Sequence, residues 1–414
     1  MADPKSTIAV ACPICGGDVQ FDPTKGKLVC EYCGSEITPE EAQQRYDKEE
    51  AKLNSKPSSS QSSDDGWGED EDDMKAFSCS SCGAEMIAEE NTAAMICPFC
   101  GNSTIVPAQF EGAIRPDCLV PFAFTKDQAI SKYKGYYSGK KLLPKSFDAN
   151  NHIEEIQGVY VPFWLYDGSA SIDARYLAYD RKDHPNEEEI IYYRVQRRGT
   201  LAFKNVPTDA SERMPDDLMD SIEPYDFGKL TDFNISYLPG FLAEKSNSEE
   251  KAELERAEKR IKGSASSLTR QSVKHNGIKD SQEDIDVDFG NRRYVLLPVW
   301  YLVTKWNDKT WTFAMNGQTG RFIGDLPIDT GKMIVRLLIS FIVAAFVAFL
   351  VTENDISMAV FAGLIASAIV GFISYSSMKP VARAQNANEY VESLDLTLQT
   401  EQYDHTEHRK KENR

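Results

Sequence analysis

A chain of 414 residues that is 41% apolar has room for two or three domains and a sizeable buried core. Its formal charge of −18 argues against a general nucleic-acid binder, which needs basic surface to displace counterions from phosphate, and against loose electrostatic attachment to anionic lipid. The opening residues, MADPKSTIAVACPIC, carry no apolar run and no cleavage site, so no signal peptide is expected.

Eight of the nine cysteines fall in CxxC pairs, which in a cytoplasmic setting point to metal before disulfide. Residues 8–38 hold Cys12-Pro-Ile-Cys15-Gly16 and Cys30-Glu-Tyr-Cys33-Gly34. Residues 75–106 hold Cys79-Ser-Ser-Cys82-Gly83 and Cys97-Pro-Phe-Cys100-Gly101. Both read C-x2-C-x14-C-x2-C, and all four cysteines recur at an offset of 67 residues, an internal duplication. A CxxC pair aims two thiolates at one ion, and the glycine after it lets backbone amides approach the sulfurs. Two such knuckles complete a tetrahedral site, so each module is predicted to be a zinc ribbon with one structural Zn²⁺. Rubredoxin-like iron and redox dithiols share this spacing. Four thiolates leave no position for water, which favours a structural over a catalytic ion. Between the knuckles, Val19-Gln-Phe21 and Lys27-Leu-Val29 flank the turn Asp22-Pro-Thr-Lys-Gly26 and suit a β-hairpin.

Residues 39–74 begin with a charged helix, Pro39 to Leu53, and continue into Lys56 to Asp73, a Ser-rich then acidic tract predicted to be a disordered linker. Its lone apolar residue, Trp67, is either a docking point or incidental.

Residues 107–331 have the proportions of a mixed α+β domain. Thr125 caps a helix to Tyr136, and strands are expected at Val159 to Tyr166, in parts of Ser169 to Tyr179, and at Glu189 to Phe203. Ser246 to Gly263 reads as a solvated helix with a Ser246/Glu249 capping box, Glu255–Lys259 and Glu258–Lys262 pairs and Gly263 as its stop. The tract from Ser264 to Asn291 reads as a mixed loop. Strands follow at Tyr294 to Trp306, Thr310 to Met315 and Arg321 to Gly324, the last two joined by the turn Asn316-Gly-Gln-Thr-Gly320. Val161-Pro-Phe-Trp164-Leu-Tyr166 and Leu297-Pro-Val-Trp300-Tyr-Leu302 resemble one another, so the domain is expected to contain two related halves. A proline inside an apolar strand implies an edge or a bulge. The paired aromatic strands are either grooves for a peptide or lipid or, more simply, duplicated core.

Residues 332–379 form a predicted transmembrane hairpin. Met333 to Thr352 carries one charge, Arg336, and Ile356 to Met378 carries none; each is long enough to cross about 30 Å of hydrocarbon. A pair of buried core helices in a soluble domain fits these lengths poorly. Lys332 and Arg336 flank the entry, Lys379 and Arg383 the exit, and the link Glu353-Asn-Asp355 has no cation, which places both chain ends in the cytoplasm. Ser340, Ala344 and Ala348 in one helix, and Ala359, Gly363, Ser367 and Gly371 in the other, form small-residue stripes. Such stripes pack the helices on one another or, less simply, against a second copy. Residues 380–414 read as a polar cytoplasmic tail in which Tyr390 to Leu398 alternates enough to rejoin the domain as a strand.

Enzymatic signatures are absent from the sequence: there is no phosphate loop (Gly331-Lys332 is followed by Met333) and no G-x-S-x-G elbow. The five histidines, at 152, 184, 275, 405 and 408, are dispersed, and His405 with His408 do not form an HExxH helix. Cys118, in Pro-Asp-Cys-Leu-Val-Pro, reads as a buried thiol.

The two CPxCG-type ribbons, the VPFWLY strand, the Leu238-Pro-Gly-Phe-Leu-Ala-Glu244 stretch, the Asn316–Gly320 turn and the C-terminal hairpin together resemble a bacterial family. These are the membrane-anchored double-zinc-ribbon proteins of Gram-positive bacteria (YdjG-like), often labelled TFIIB-type zinc ribbon or PriA helicase-like. The resemblance implies a cytoplasmic adaptor, in some members tied to phage-shock-type envelope stress and its membrane-remodelling protein PspA. The helicase label does not fit a chain without the motor's phosphate loop.

The expected fold class is therefore multidomain α+β: two N-terminal zinc ribbons, a mixed α/β cytoplasmic domain and a C-terminal two-helix transmembrane hairpin. The expected function is a non-enzymatic membrane scaffold or adaptor, in which the acidic linker lets the first ribbon reach for protein partners. The rival reading is a membrane-tethered nucleic-acid or transcription factor. Ribbon one sets Lys25 and Lys27 against Asp18, Asp22, Glu31 and Glu36, which offers no phosphate track.

Overall fold

The computed structural model describes residues 5–6, 12–17, 19–54, 74–78, 85–89, 92–96, 103–105, 115–145, 147, 156–185, 187–211, 214–244, 246, 250–307, 309–324, 326–351, 356–378 and 386–410. Cys79, Cys82, Cys97 and Cys100, the acidic tract with Trp67, Glu249 of the capping box, residues 353–355, and Lys379 and Arg383 lie outside the described residues.

The first cysteine module folds as β1 (Val19–Asp22), β2 (Lys27–Cys30) and β3 (Glu36–Ile37), an antiparallel sheet in that order. Period-two alternation turns Val19, Phe21, Leu28 and Cys30 inward. The helix α1 (Pro39–Asn54) follows, opened by a reciprocal box: Glu41 N donates to Thr38 Oγ1, and Thr38 N donates to Glu41 Oε2. The module is not loose. Phe21 meets Tyr237 edge-on at 4.9 Å, Phe21 N donates to Pro239 O at 3.0 Å, and Ser236 Oγ donates to Pro39 O at 2.8 Å. Burying one such aromatic contributes about 2 kcal/mol, so the first cysteine module is seated on the body instead of reaching outward on a tether.

The duplication extends to strand pairing. Thr92–Ile96 pairs with Ser103–Ile105 so that Met95 faces Thr104, and Leu28 faces Ile37 in the first copy, both members 67 residues earlier. Thr92–Ile96 also pairs with the body, Ala94 opposite Ala243.

The body comprises β4 (Cys118–Leu119), α2 (Lys126–Tyr137), β5 (Gln157–Asp183), β6 (Glu187–Asp209), α3 (Asp216–Ile222), β7 (Leu242–Glu244), α4 (Glu250–Gln271), β8 (Gly277–Trp306), β9 (Lys309–Asn316) and β10 (Phe322–Gly324). Thr125 caps α2 through Gln128, as its sequence predicts. The two strands expected within 159–179 are one, bulged between Tyr166 and Gly168. The tract 264–291 is not a loop: α4 runs past Gly263 to Gln271, and β8 begins at Gly277. Gly263 fails to stop the helix because Ile261 and Ala265 on either side of it are buried against the sheet, and packing outweighs its propensity cost of about 1 kcal/mol. Nor is α4 solvated all round, since Glu253, Ala257, Arg260 and Ser264 are also buried.

The two similar strands pair with each other, Val161 opposite Leu297, and their surroundings repeat. β7 lies parallel beside Val159 and Tyr160; β4 lies parallel beside Val295 and Leu296. Asp209 of β6 faces Phe163, and Asn316 of β9 faces Val299. Ala210 N donates to Pro162 O, and Gly317 N donates to Pro298 O, each at 2.8 Å. A local two-fold thus relates two halves. The prolines are not at sheet edges; each occupies the seam where one neighbouring strand ends and the next begins. Since N–H and C=O of one strand residue point the same way, the missing N–H faces that seam and no ladder bond is lost.

After β10 come α5 (Thr330–Val351) and α6 (Ile356–Met378), then β11 (Val391–Lys410). The strand expected at Tyr390 to Leu398 rejoins the body and extends further, pairing with β6 from Phe203/Val391 to Glu187/Lys410, so the sheet is completed from beyond the hairpin. Both apolar helices are long enough to cross a membrane, with mean hydropathy 2.8 and 2.4, and they turn Ile334, Leu338, Phe346, Phe361 and Phe372 outward. The small-residue stripe faces the hairpin's own seam. A Cβ on Gly363 would meet Phe341 at 2.8 Å, and Ser367 Oγ donates to Leu337 O at 3.2 Å. At the other end, Met378 is buried in the body's core with Leu142, Leu143 and Leu326.

Candidate metal centre

Cys12, Cys15, Cys30 and Cys33 converge. Each knuckle closes on itself by the same pair of bonds: Gly16 N to Cys12 O (2.9 Å) and Cys12 N to Gly17 O (2.7 Å) in one, Gly34 N to Cys30 O (3.0 Å) and Cys30 N to Ser35 O (2.9 Å) in the other. The turn needs positive φ at its fifth residue, and Gly16 (+73°) and Gly34 (+71°) supply it without a Cβ penalty. The β1–β2 hairpin then sets one knuckle against the other.

Cys12 Sγ lies 3.6 Å from Cys33 Sγ, Cys15 Sγ lies 3.5 Å from Cys30 Sγ, and all four sulfurs fall within 4.8 Å of one another. Four sulfurs at about 2.3 Å from a shared tetrahedral ion stand roughly 3.8 Å apart, so the group could hold one metal ion. Cys12 and Cys30 are buried, whereas Cys15 and Cys33 are exposed.

One residue that the cysteine pattern does not name completes the site. Ser35 Oγ lies 2.9 Å from Cys12 Sγ and 3.2 Å from Cys33 Sγ, placed to donate to a thiolate. Its hydroxyl is the chief reason the Cys12 thiol is drawn down to about 6, and it lowers Cys33 as well. At Cys15 the Gly17 backbone pulls downward, but the sulfurs of Cys33 and Cys30, with burial, push the thiol up to about 12. The crowding keeps Cys15 protonated, and a cation among the sulfurs is what would let all four ionise together. Ser35 was legible only as the residue after Cys33-Gly34.

The other cysteines of the duplicated set, Cys79, Cys82, Cys97 and Cys100, lie outside the described residues. Cys118 stands apart on β4, half-buried, and burial raises its pKa, as befits an unreactive thiol. His405 stacks on Tyr192 at 4.5 Å and meets Asp404 at 2.6 Å, while His275 stacks on Tyr193 and meets Asp180 at 3.0 Å. His408 approaches Glu187. His405 and His408 lie on β11 and His275 in the turn before β8, and they are not gathered into one site.

A second polar cluster was invisible to sequence reasoning. Under α4, Arg260 grips Glu223 with both guanidinium nitrogens (2.6 and 3.0 Å), and Arg256 approaches Asp220 (2.8 Å) and Asp209 (2.7 Å). Tyr390 Oη donates to Glu223 Oε2 at 2.8 Å, which ties the return from the hairpin to this network. Burial pushes Asp209 up to about 7 against the pull of Arg256, whose approach is close but poorly aligned for a hydrogen bond, and burial raises Glu223 too. The adjoining cavity, of about 210 Å³, is lined by Asp220, Glu223, Arg260 and Tyr390.

No protein-family model matches the chain, and no solved structure matches it. The chain is similar to the uncharacterized protein YdjG of Bacillus subtilis (strain 168), 32% identical over 333 residues that cover 79% of this chain and 92% of that protein. With identity sustained over nearly the whole of that relative, from a chain carrying the cysteine group and the apolar hairpin, this protein belongs to the YdjG family.

Proposed function

We propose that the protein is a non-enzymatic scaffold or adaptor fixed in the cell membrane by the α5–α6 hairpin, with both chain ends in the cytoplasm. Each ribbon carries one structural Zn²⁺, the first on Cys12, Cys15, Cys30 and Cys33, the second on Cys79, Cys82, Cys97 and Cys100. Its partners are cytoplasmic or membrane proteins, PspA-type proteins of the envelope-stress response among them, as the family resemblance implies.

The observation that carries this reading is the surface around the cysteines. Ile14 and Tyr32, one in each knuckle, are 75% and 74% exposed at the metal end of a ribbon that is otherwise packed into the body. Exposed apolar side chains on a rigid, metal-braced turn suit protein recognition. The nucleic-acid reading is weaker, because Lys25 and Lys27 both face Glu36, at 2.9 and 3.1 Å.

A crosslinked pull-down from native membranes tests it, comparing the intact chain with a Cys12→Ser/Cys79→Ser variant. Proteins captured by the intact chain and lost from a still-inserted variant are expected. Nucleic acid recovered in their place, released by salt, would overturn the scaffold reading.

A further inference from the structure

The segment between α2 and residue 147 meets the start of the apolar hairpin. Asp329 N donates to Leu142 O at 2.8 Å, and Lys332 Nζ donates to Leu143 O at 2.6 Å. Lys332 is the third residue of α5, and the uncharged run begins at the next residue, Met333. At ~1.5 Å per residue the Leu142–Leu143 segment therefore sits within a few ångströms of the level where the hydrocarbon begins.

What this segment exposes there is cationic. Leu142, Leu143 and Phe147 are buried and anchor it, while Lys141 and Lys145 point into solvent. The tip of the β8–β9 hairpin stands beside it: Phe147 contacts Trp306 and Trp311 edge-on at 5.8 and 6.1 Å, both half-buried, with Lys309 exposed between them in sequence. Among the described residues, Lys141, Lys145 and Lys309 have no carboxylate partner, and Asp329 beside this segment pairs with Lys332 at 3.9 Å. The acidic excess of the chain lies elsewhere, for instance in Asp284, Asp286 and Asp288, which are exposed in a row along β8 far from the hairpin. Lysines with half-buried tryptophans at one level are the composition of a membrane–water interface.

We propose that this face, Lys141, Lys145 and Lys309 with Trp306 and Trp311, binds the anionic phospholipid headgroups around the hairpin and seats the cytoplasmic body on the bilayer surface. The inference rests on the reading that α5 and α6 span a membrane. The net charge of the chain argues against lipid attachment only if charge is averaged over the molecule, and here it is not.

The test is lysine acetylation read by mass spectrometry on the full chain, reconstituted in phosphatidylcholine vesicles with and without phosphatidylglycerol and floated on a density gradient. With phosphatidylglycerol, Lys141, Lys145 and Lys309 should react roughly five-fold more slowly, an effect reversed by high salt, while Lys182 at the far end of β5 reacts equally in both. A Lys141→Gln/Lys145→Gln variant should still float and lose the protection of Lys309. Equal labelling in the two vesicles, from protein that floats, overturns the headgroup site and leaves the hairpin reading standing. Protein that does not float overturns both.

Discussion

Ser35 shows how much of a metal site lies outside its ligands. Its hydroxyl reaches two sulfurs from different knuckles, Cys12 at 2.9 Å and Cys33 at 3.2 Å, and so stabilises the thiolate forms that a metal ion would need. Ser35→Ala should weaken metal binding by roughly ten-fold, measured by competition with a chromogenic chelator; an unchanged affinity would mean the hydroxyl is a bystander. The buried network makes a prediction of opposite character. Asp209 is lifted from 3.8 to about 7, so the folded chain keeps a proton that the unfolded chain releases near pH 4. The stability contributed by that proton is present at low pH and is lost as pH rises from about 4 to about 7, by at most about 1.4 kcal/mol per pH unit. Asp209→Asn has no such proton to lose. The difference in melting temperature, variant minus parent, should therefore grow from pH 5 to pH 7.5, and a constant difference would refute the shift.

Among the elements, β11 rejoins the body as the alternation of Tyr390 to Leu398 leads one to expect, and runs on to Lys410. It depends on a close backbone approach: a Cβ on Gly199 of β6 would lie 2.1 Å from Asp395 O, at the irregularity between Arg198 and Thr200. Gly199→Ala should force the strands apart at a cost of about 2 kcal/mol and raise hydrogen exchange across 391–410, with β5 and β8 unaffected. Unaltered protection of β11 would show that the seam can absorb the methyl. The elements that sequence reasoning placed well are those with local signals: the first module's knuckles, the cap at Thr125, and the two apolar runs. It failed where partners are distant. Within 277–291, residues 284–289 alternate Asp-Ile-Asp-Val-Asp-Phe, but aspartate is a poor strand former, and only the long pairing with β5 makes this a strand. In α4 the charges suggested a solvated helix, yet Arg256 and Arg260 are charges matched to acids on other elements, which no spacing rule reveals.

At the scale of the whole molecule, Leu238-Pro-Gly-Phe-Leu-Ala-Glu244 is the hub. Pro239 holds the first ribbon through Phe21, Ala243 pairs with Ala94 of the second repeat, and Phe241 stacks on Phe122 at 4.0 Å in the body. The first cysteine module thus packs against a body sheet that Thr92–Ile96 of the second repeat joins, and that sheet is completed only after the chain has passed through the apolar hairpin; Tyr390 and Met378 fasten that return. Apolar hairpin, body and cysteine module hold one another. The most direct test of this account is the zinc content of the full chain purified in detergent from alkali-washed membranes. It predicts retention in the washed membranes with two zinc ions per chain, falling to one in Cys12→Ser. Recovery in the alkaline wash, or a chain that carries iron or no metal, would contradict it.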